Sequence, residues 1–120
     1  MNYSFNNNSP IYLQIVEIIE REIISGARSP GERVESVREL AAKLRVNPNT
    51  VQKALVELEE KGLVETERTS GRFVTKNENK LVKLREKYFK EKTENYLSEM
   101  KKIKIEQAKI IDFIKNNYEN

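Results

Sequence analysis

The chain has 120 residues, 38 % of them hydrophobic, and carries 22 Lys and Arg against 19 Asp and Glu for a net charge of +3. Such a length holds one compact domain or a small domain with an appendage, and the low apolar share favours the second. Neither cysteine nor histidine occurs, which removes disulfides, thiol chemistry, the usual general base and the usual transition-metal ligands; no enzyme activity, metal or cofactor is expected.

Residues 1–9 read as a flexible leader. The opening MNYSFNNNSP is polar and uncharged, so it is no signal peptide, and no apolar run approaches the length of a membrane span. A cytoplasmic protein with no membrane partner is the expectation. PIYLQIVEIIEREIISG then reads as an amphipathic helix of about four turns, opened by Pro10 and stopped near Gly26. Tyr12, Ile15, Val16, Ile19 and Ile23 recur at three- and four-residue spacing and form its apolar face. In the link ARSPGERV, Pro30 and Gly31 mark a turn, after which Arg33 and Val34 could add a short strand to a sheet.

VRELAAKLRVNPNTVQKAL, Val37 to Leu55, spells two short helices around a break near Arg45 to Asn47. Two helices crossing steeply need a small side chain where they touch, and Ala41 supplies it while Val46 plugs the corner. Ser36 followed by Glu39 is a capping box, and Asn47 followed by Pro48 reads as an N-cap with proline at the first helical position. The second helix would start by presenting Asn49, Thr50, Gln52 and Lys53, whose groups suit base edges or phosphates in a major groove. Taken alone, the pattern also fits an ordinary helical hairpin in a core.

The following residues argue against that. Gly62 is placed to end the second helix, and LVETERTSGRFVT gives two strand-like runs around Thr69, Ser70 and Gly71. A helix-turn-helix followed by a β-hairpin is a winged helix. Arg68, Thr69, Ser70, Gly71 and Arg72 at its tip become candidates for phosphate or minor-groove contacts, against the plainer reading of a solvated turn. Charge is sorted locally. Residues 1–75 hold ten Lys and Arg against eleven Asp and Glu, net −1, yet Arg38, Lys43, Arg45 and Lys53 outnumber Glu39 on the two motif helices. So few cations per chain suggest modest monomer binding and two copies on one site.

From Pro10 to Thr75 the sequence resembles the DNA-binding domain of GntR-family bacterial transcription regulators, with several submotifs in order. The resemblance implies a homodimer in which each winged helix reads half of a palindromic operator in double-stranded DNA. Arg38 would reach a base or phosphate, Asn47, Asn49, Thr50 and Gln52 would work from the recognition helix, and Gly71 would approach the minor groove. The full DNA-facing set is Ser36, Arg38, Arg45, Asn47, Pro48, Asn49, Thr50, Gln52, Lys53, Thr69, Ser70, Gly71 and Arg72. Three residues depart from the family pattern. Glu35 stands where proline is usual, Arg45 replaces the glycine of the turn at a cost of roughly 1 kcal/mol, and Pro48 occupies a position where some subfamilies carry a base-reading arginine.

The winged helix-turn-helix is expected over residues 10–76 and a helical dimerisation region over residues 77–120, giving a mainly α fold with a small β-hairpin. Residues 76–120 are net +4, and the tail is too short to enclose an effector pocket; no residues point to a small-molecule effector. Leu81, Leu84, Tyr88, Tyr96, Leu97, Met100 and Ile103 form one apolar stripe, and Ile110, Ile111, Ile114 and Tyr118 a second group. A partner chain would cover them; the alternative is a stripe folded back on its own winged helix. Short two-helix tails resemble the YtrA subfamily, whose members dimerise through them and often control operons for ABC-type transporters and cell-envelope stress. A break near Ile103 to Glu106 follows from this resemblance, since no Gly or Pro marks one. Together these features predict a transcriptional repressor; the rival is a winged-helix module that binds protein or nucleic acid without operator specificity.

Overall fold

The computed structural model describes residues 4–120, which build α1 (Ile11–Ser25), β1 (Arg33–Val34), α2 (Val37–Leu44), α3 (Pro48–Glu60), β2 (Val64–Glu67), β3 (Gly71–Val74), α4 (Glu78–Lys102) and α5 (Gln107–Asn117). They form two compact units that part between Leu84 and Arg85. Residues 1–3 of the expected leader lie outside the described residues. Within its remainder, Gln14 of α1 donates to the carbonyls of Asn6 and Ser9 at 2.9 and 2.8 Å and accepts from the Asn6 N–H at 3.1 Å.

The first unit is assembled around α3, against which both α1 and α2 pack. Ile15, Val16, Ile19 and Ile23 of α1 are buried, as the spacing predicts, while Tyr12 stays half-buried at the edge. They meet Val51, Ala54, Leu55 and Leu58, all fully buried on α3. Each branched side chain removed from water contributes about 1.5–3 kcal/mol before entropy is charged against it. Glu20 is buried on α1 at 3 % exposure, and Lys61 just after α3 reaches it at 3.1 Å. The ion pair thus ties the first helix to the end of the third.

Helix α3 stops in a Schellman turn. The Gly62 N–H donates to Glu59 O at 2.9 Å and the Leu63 N–H to Leu58 O at 3.0 Å, with Gly62 at φ 75°, where a Cβ would be strained. The chain turns directly into β2. The sheet has the order β1-β3-β2, antiparallel throughout, with Glu67 opposite Gly71 at the hairpin end and Arg33 opposite Phe73 on the other side. The short strand expected from Arg33 and Val34 is present, and the fold is mainly helical with a small sheet, a winged helix with C-terminal helices.

Helix α4 opens on Asn77, whose side-chain oxygen accepts from the Asn79 and Lys80 N–H groups at 3.0 and 3.3 Å. Its first turns carry a correction. Leu81 and Leu84 were assigned to the partner-facing stripe, but they are only 5 % and 7 % exposed and belong to the first unit. Helical periodicity continues through them unchanged, so spacing cannot separate a residue covered by its own chain from one that waits for a partner.

The second unit holds the rest of α4 and all of α5. The helices are separated at Ile103–Glu106, where Lys104 adopts φ 62°, its N–H donates to Lys101 O at 3.1 Å and the Ile105 N–H donates to Met100 O at 3.0 Å. A lysine takes the left-handed position that glycine usually fills. Leu97, Ile105, Ile110, Ile111 and Ile114 line an apolar groove flanked by Lys101 and Gln107. Tyr96, Leu97, Ile103, Ile111 and Ile114 are exposed by 36–63 %, and Tyr88, Met100 and Ile110 are half-buried. No helix among the described residues is long and apolar enough to cross a membrane.

Candidate nucleic-acid interface

The two motif helices are fixed at their starts by side chains. Ser36 Oγ accepts from the Glu39 N–H at 3.1 Å while Glu39 Oε1 accepts from the Ser36 N–H at 3.2 Å, the reciprocal capping box. The Ser36 backbone N–H and then its hydroxyl hold the Glu39 carboxyl below its usual pKa. Asn47 Oδ1 accepts from the Asn49 N–H at 2.8 Å, and Pro48 opens α3 where no intrahelical N–H is needed. Between the helices Arg45 adopts φ 58° and the Val46 N–H donates back to Ala41 O at 3.1 Å. An αL turn of the kind that glycine usually makes is therefore made here by arginine.

Caps and turn together fix what is exposed. Arg38, Arg45, Asn47, Pro48, Asn49, Gln52 and Lys53 are exposed, while Ser36 and Thr50 are half-buried. Such a surface offers cations for phosphates, and amides and a hydroxyl for base edges. Lys53 lies with its ammonium 4.1 Å from the centre of the Tyr12 ring, a cation–π contact that steadies its long side chain against α1. Thr69, Ser70 and Gly71 are exposed at the hairpin tip. Gly71 sits at φ 106°, and a Cβ there would have room, its nearest neighbour being Arg33 Nε at 3.7 Å, so backbone conformation rather than space requires glycine.

Arg72 departs from expectation. Proposed as a phosphate contact, it is instead half-buried with its Nε donating to Glu59 Oε1, which also accepts from the Thr66 hydroxyl at 2.7 Å. Burial alone would raise the Glu59 pKa, but the bonds from Arg72 and Thr66 lower it. The Arg72 Nε bond to Glu59 ties the wing to α3. Arg33, by contrast, was read only as part of a strand; its side chain is 55 % exposed, beside Gly71 and 3.8 Å from Glu39. Arg33 and Arg68 are the exposed cations of the sheet and its hairpin, Arg33 within ion-pair distance of Glu39.

Glu35, the residue in the family's proline position, is held by a charge cluster that single-residue reading did not find. Arg28, 6 % exposed, donates to Glu35 at 2.6 and 3.4 Å and to Glu22 at 3.0 Å, and Lys43 donates to the second Glu35 oxygen at 3.1 Å. Burial pushes the Glu35 pKa up, but the hydrogen bonds from Arg28, from its own backbone and from Lys43 outweigh it and hold the value at about 2. Burial likewise opposes the charge on Arg28, and the bonds to Glu35 and Glu22 overcome it and raise its pKa. The cluster fastens the end of α1 and the link before β1 to α2, so Arg38 is carried on a helix anchored at both ends. No Asp or Glu cluster among the described residues could hold a metal ion.

Comparison with known proteins identifies the family. Residues 11–74 match the bacterial regulatory proteins of the gntR family. The transcriptional repressor YtrA of Bacillus subtilis is 34 % identical over 110 residues, covering 91 % of this chain and 85 % of its own length. A GntR family transcriptional regulator from Listeria monocytogenes superposes with a TM-score of 0.86 at 43 % identity, covering 93 % of this chain and 98 % of that one. The AraR DNA-binding domain, solved in complex with operator ORX1, superposes with a TM-score of 0.56 at 26 % identity over 62 % of this chain and 95 % of that one. The chain thus belongs to the GntR family and is a YtrA-like transcriptional regulator, a DNA-binding protein and not an enzyme, with its DNA-binding domain in the winged helix built around α3.

Proposed function

We propose that the protein is a repressor that binds a palindromic operator as a homodimer, each protomer setting α3 in the major groove of one half-site. The observation that carries this reading is the exposed row Asn47, Asn49 and Gln52 on a helix capped at its first residue and flanked by the free cations of Arg38 and Arg45. Side chains that read base edges must be held in register, and a capped, packed helix does that. Arg33, Arg68 and Gly71 of the wing take the adjacent backbone. The apolar groove of the second unit, with Leu97, Ile111 and Ile114 exposed, is the dimerisation surface. Repression rests on the relative YtrA, which is a repressor by name. By the same likeness, the controlled operon serves ABC-type transport or the response to cell-envelope stress.

A mobility shift on DNA from upstream of the protein's own gene, with excess nonspecific competitor, tests the reading. A shifted band should survive the competitor, and a reporter driven by that DNA should be more active when the gene is deleted. A band that vanishes with competitor would instead mark a winged-helix module without operator specificity.

A further inference from the structure

The start of α3 carries a feature that hydrogen-bonding side chains do not account for. Pro48 is exposed at the first helical position and has no N–H to donate, and Asn47 has already given its side-chain oxygen to the Asn49 N–H. Directly beside Pro48 is an open recess lined by Val37, Arg38, Ala41, Ala42, Val46 and Pro48. Five of the six lining residues are apolar, in the corner between the two helices that carry the exposed polar row. Apart from Arg38 the lining side chains offer no hydrogen bond, so the recess suits an apolar group better than an amino group.

Among base edges in the major groove, one group is apolar: the C5-methyl of thymine. We propose that this recess, with Pro48 as its outer wall, reads a thymine methyl in each operator half-site, and so selects T·A over C·G at that position without a hydrogen bond. The proposal rests on operator binding by α3 and names its specificity-determining residue. Arg38 in the lining favours the same occupant, since its cation would draw in the phosphate adjoining that base and seat the base edge against the apolar residues. Ala41 and Ala42 in the lining are small enough to leave room for a methyl group.

The test uses the full-length protein and the operator recovered by sequencing the genomic DNA that it retains. Each thymine of a half-site is replaced in turn by deoxyuridine, which removes only the methyl group, and affinity is read by fluorescence anisotropy. At one position, repeated in the other half-site, affinity should fall about fourfold per half-site, the expected loss for one buried methyl. In Pro48→Ser and in Ala42→Ser, each checked for folding by thermal unfolding, the ratio of the two affinities at that position should move towards one. 5-Methylcytosine at that position should recover part of what cytosine loses. Equal affinity for thymine and deoxyuridine at every position overturns the proposal, as does a sensitive position that neither substitution affects. Failure to prefer any genomic DNA over competitor overturns the operator reading itself, a distinct result.

Discussion

Arg28 donates to Glu35 at 2.6 Å, so a guanidinium that is 6 % exposed holds the carboxylate standing immediately before the capping residue of α2. A proline there would stiffen the chain by fixing its own φ; here an ion pair fastens it instead. Arg28→Met should lower stability by about 3 kcal/mol in urea unfolding, because it leaves Glu35 and Glu22 without their shared partner. Glu35→Gln should cost less, since the amide still accepts. The Glu35 pKa is depressed on folding from 4.5 to about 2, so the stabilisation is complete above the unfolded value and is lost as pH falls through about 2. Between pH 5 and pH 2 the wild type should lose on the order of 2 kcal/mol through this group, after allowing for partial exposure, and Glu35→Gln should flatten that part of the curve.

The arginines of α2 and the wing should separate in a salt titration. Arg38→Ala and Arg68→Ala should each weaken DNA binding about tenfold and reduce the slope of log K against log salt by about one per protomer, with the oligomeric state unchanged. Arg72→Ala should leave that slope alone and lower thermal stability by about 1 kcal/mol, because its half-buried guanidinium is engaged through Nε with Glu59. A reduced slope in Arg72→Ala would return that residue to the phosphate contacts.

Two left-handed residues with side chains mark places where glycine should stabilise. Arg45→Gly and Lys104→Gly should each raise stability by about 0.5–1 kcal/mol, the relief at positive φ being offset in part by the freer unfolded chain. They should differ in function: Arg45→Gly loses a cation beside the recognition helix and should bind DNA more weakly, whereas Lys104→Gly should not. Thermal unfolding and anisotropy on the same samples read both effects.

Ile111 is 40 % exposed in the groove of the second unit, so Ile111→Asp should not open a cavity in its own chain. Sedimentation should show a monomer, tyrosine fluorescence and helix content should be retained, and affinity for a two-half-site operator should fall by over a hundredfold. A variant that remains dimeric would move the interface elsewhere.

Where sequence and structure agree, the governing interactions are local. Ser36 with Glu39, Asn47 with Asn49 and Gly62 after α3 each act within a few residues, so spacing and residue type declare them. Other features depend on partners brought together by folding. Arg28 lies in a Pro- and Gly-containing link that reads as solvated loop, and its burial depends on Glu22 and Glu35 closing around it. Arg72 meets Glu59 from thirteen residues away on another element. Leu81 and Leu84 share the period of the residues beyond them, and only the assembled unit shows that they are already covered. The break at Lys104 carries no glycine or proline, and its place came from the likeness to related tails rather than from the residues themselves.

On the proposed reading of α3, the ring of Tyr12 beneath Lys53 makes the scaffold a participant in recognition. An ammonium resting on an aromatic face must choose between that face and a passing phosphate, and the choice is the same whatever the base sequence. Drift at Tyr12, outside the motif, would therefore tune how long the protein dwells on any duplex without altering which duplex it prefers: a volume control kept apart from the dial that selects the station.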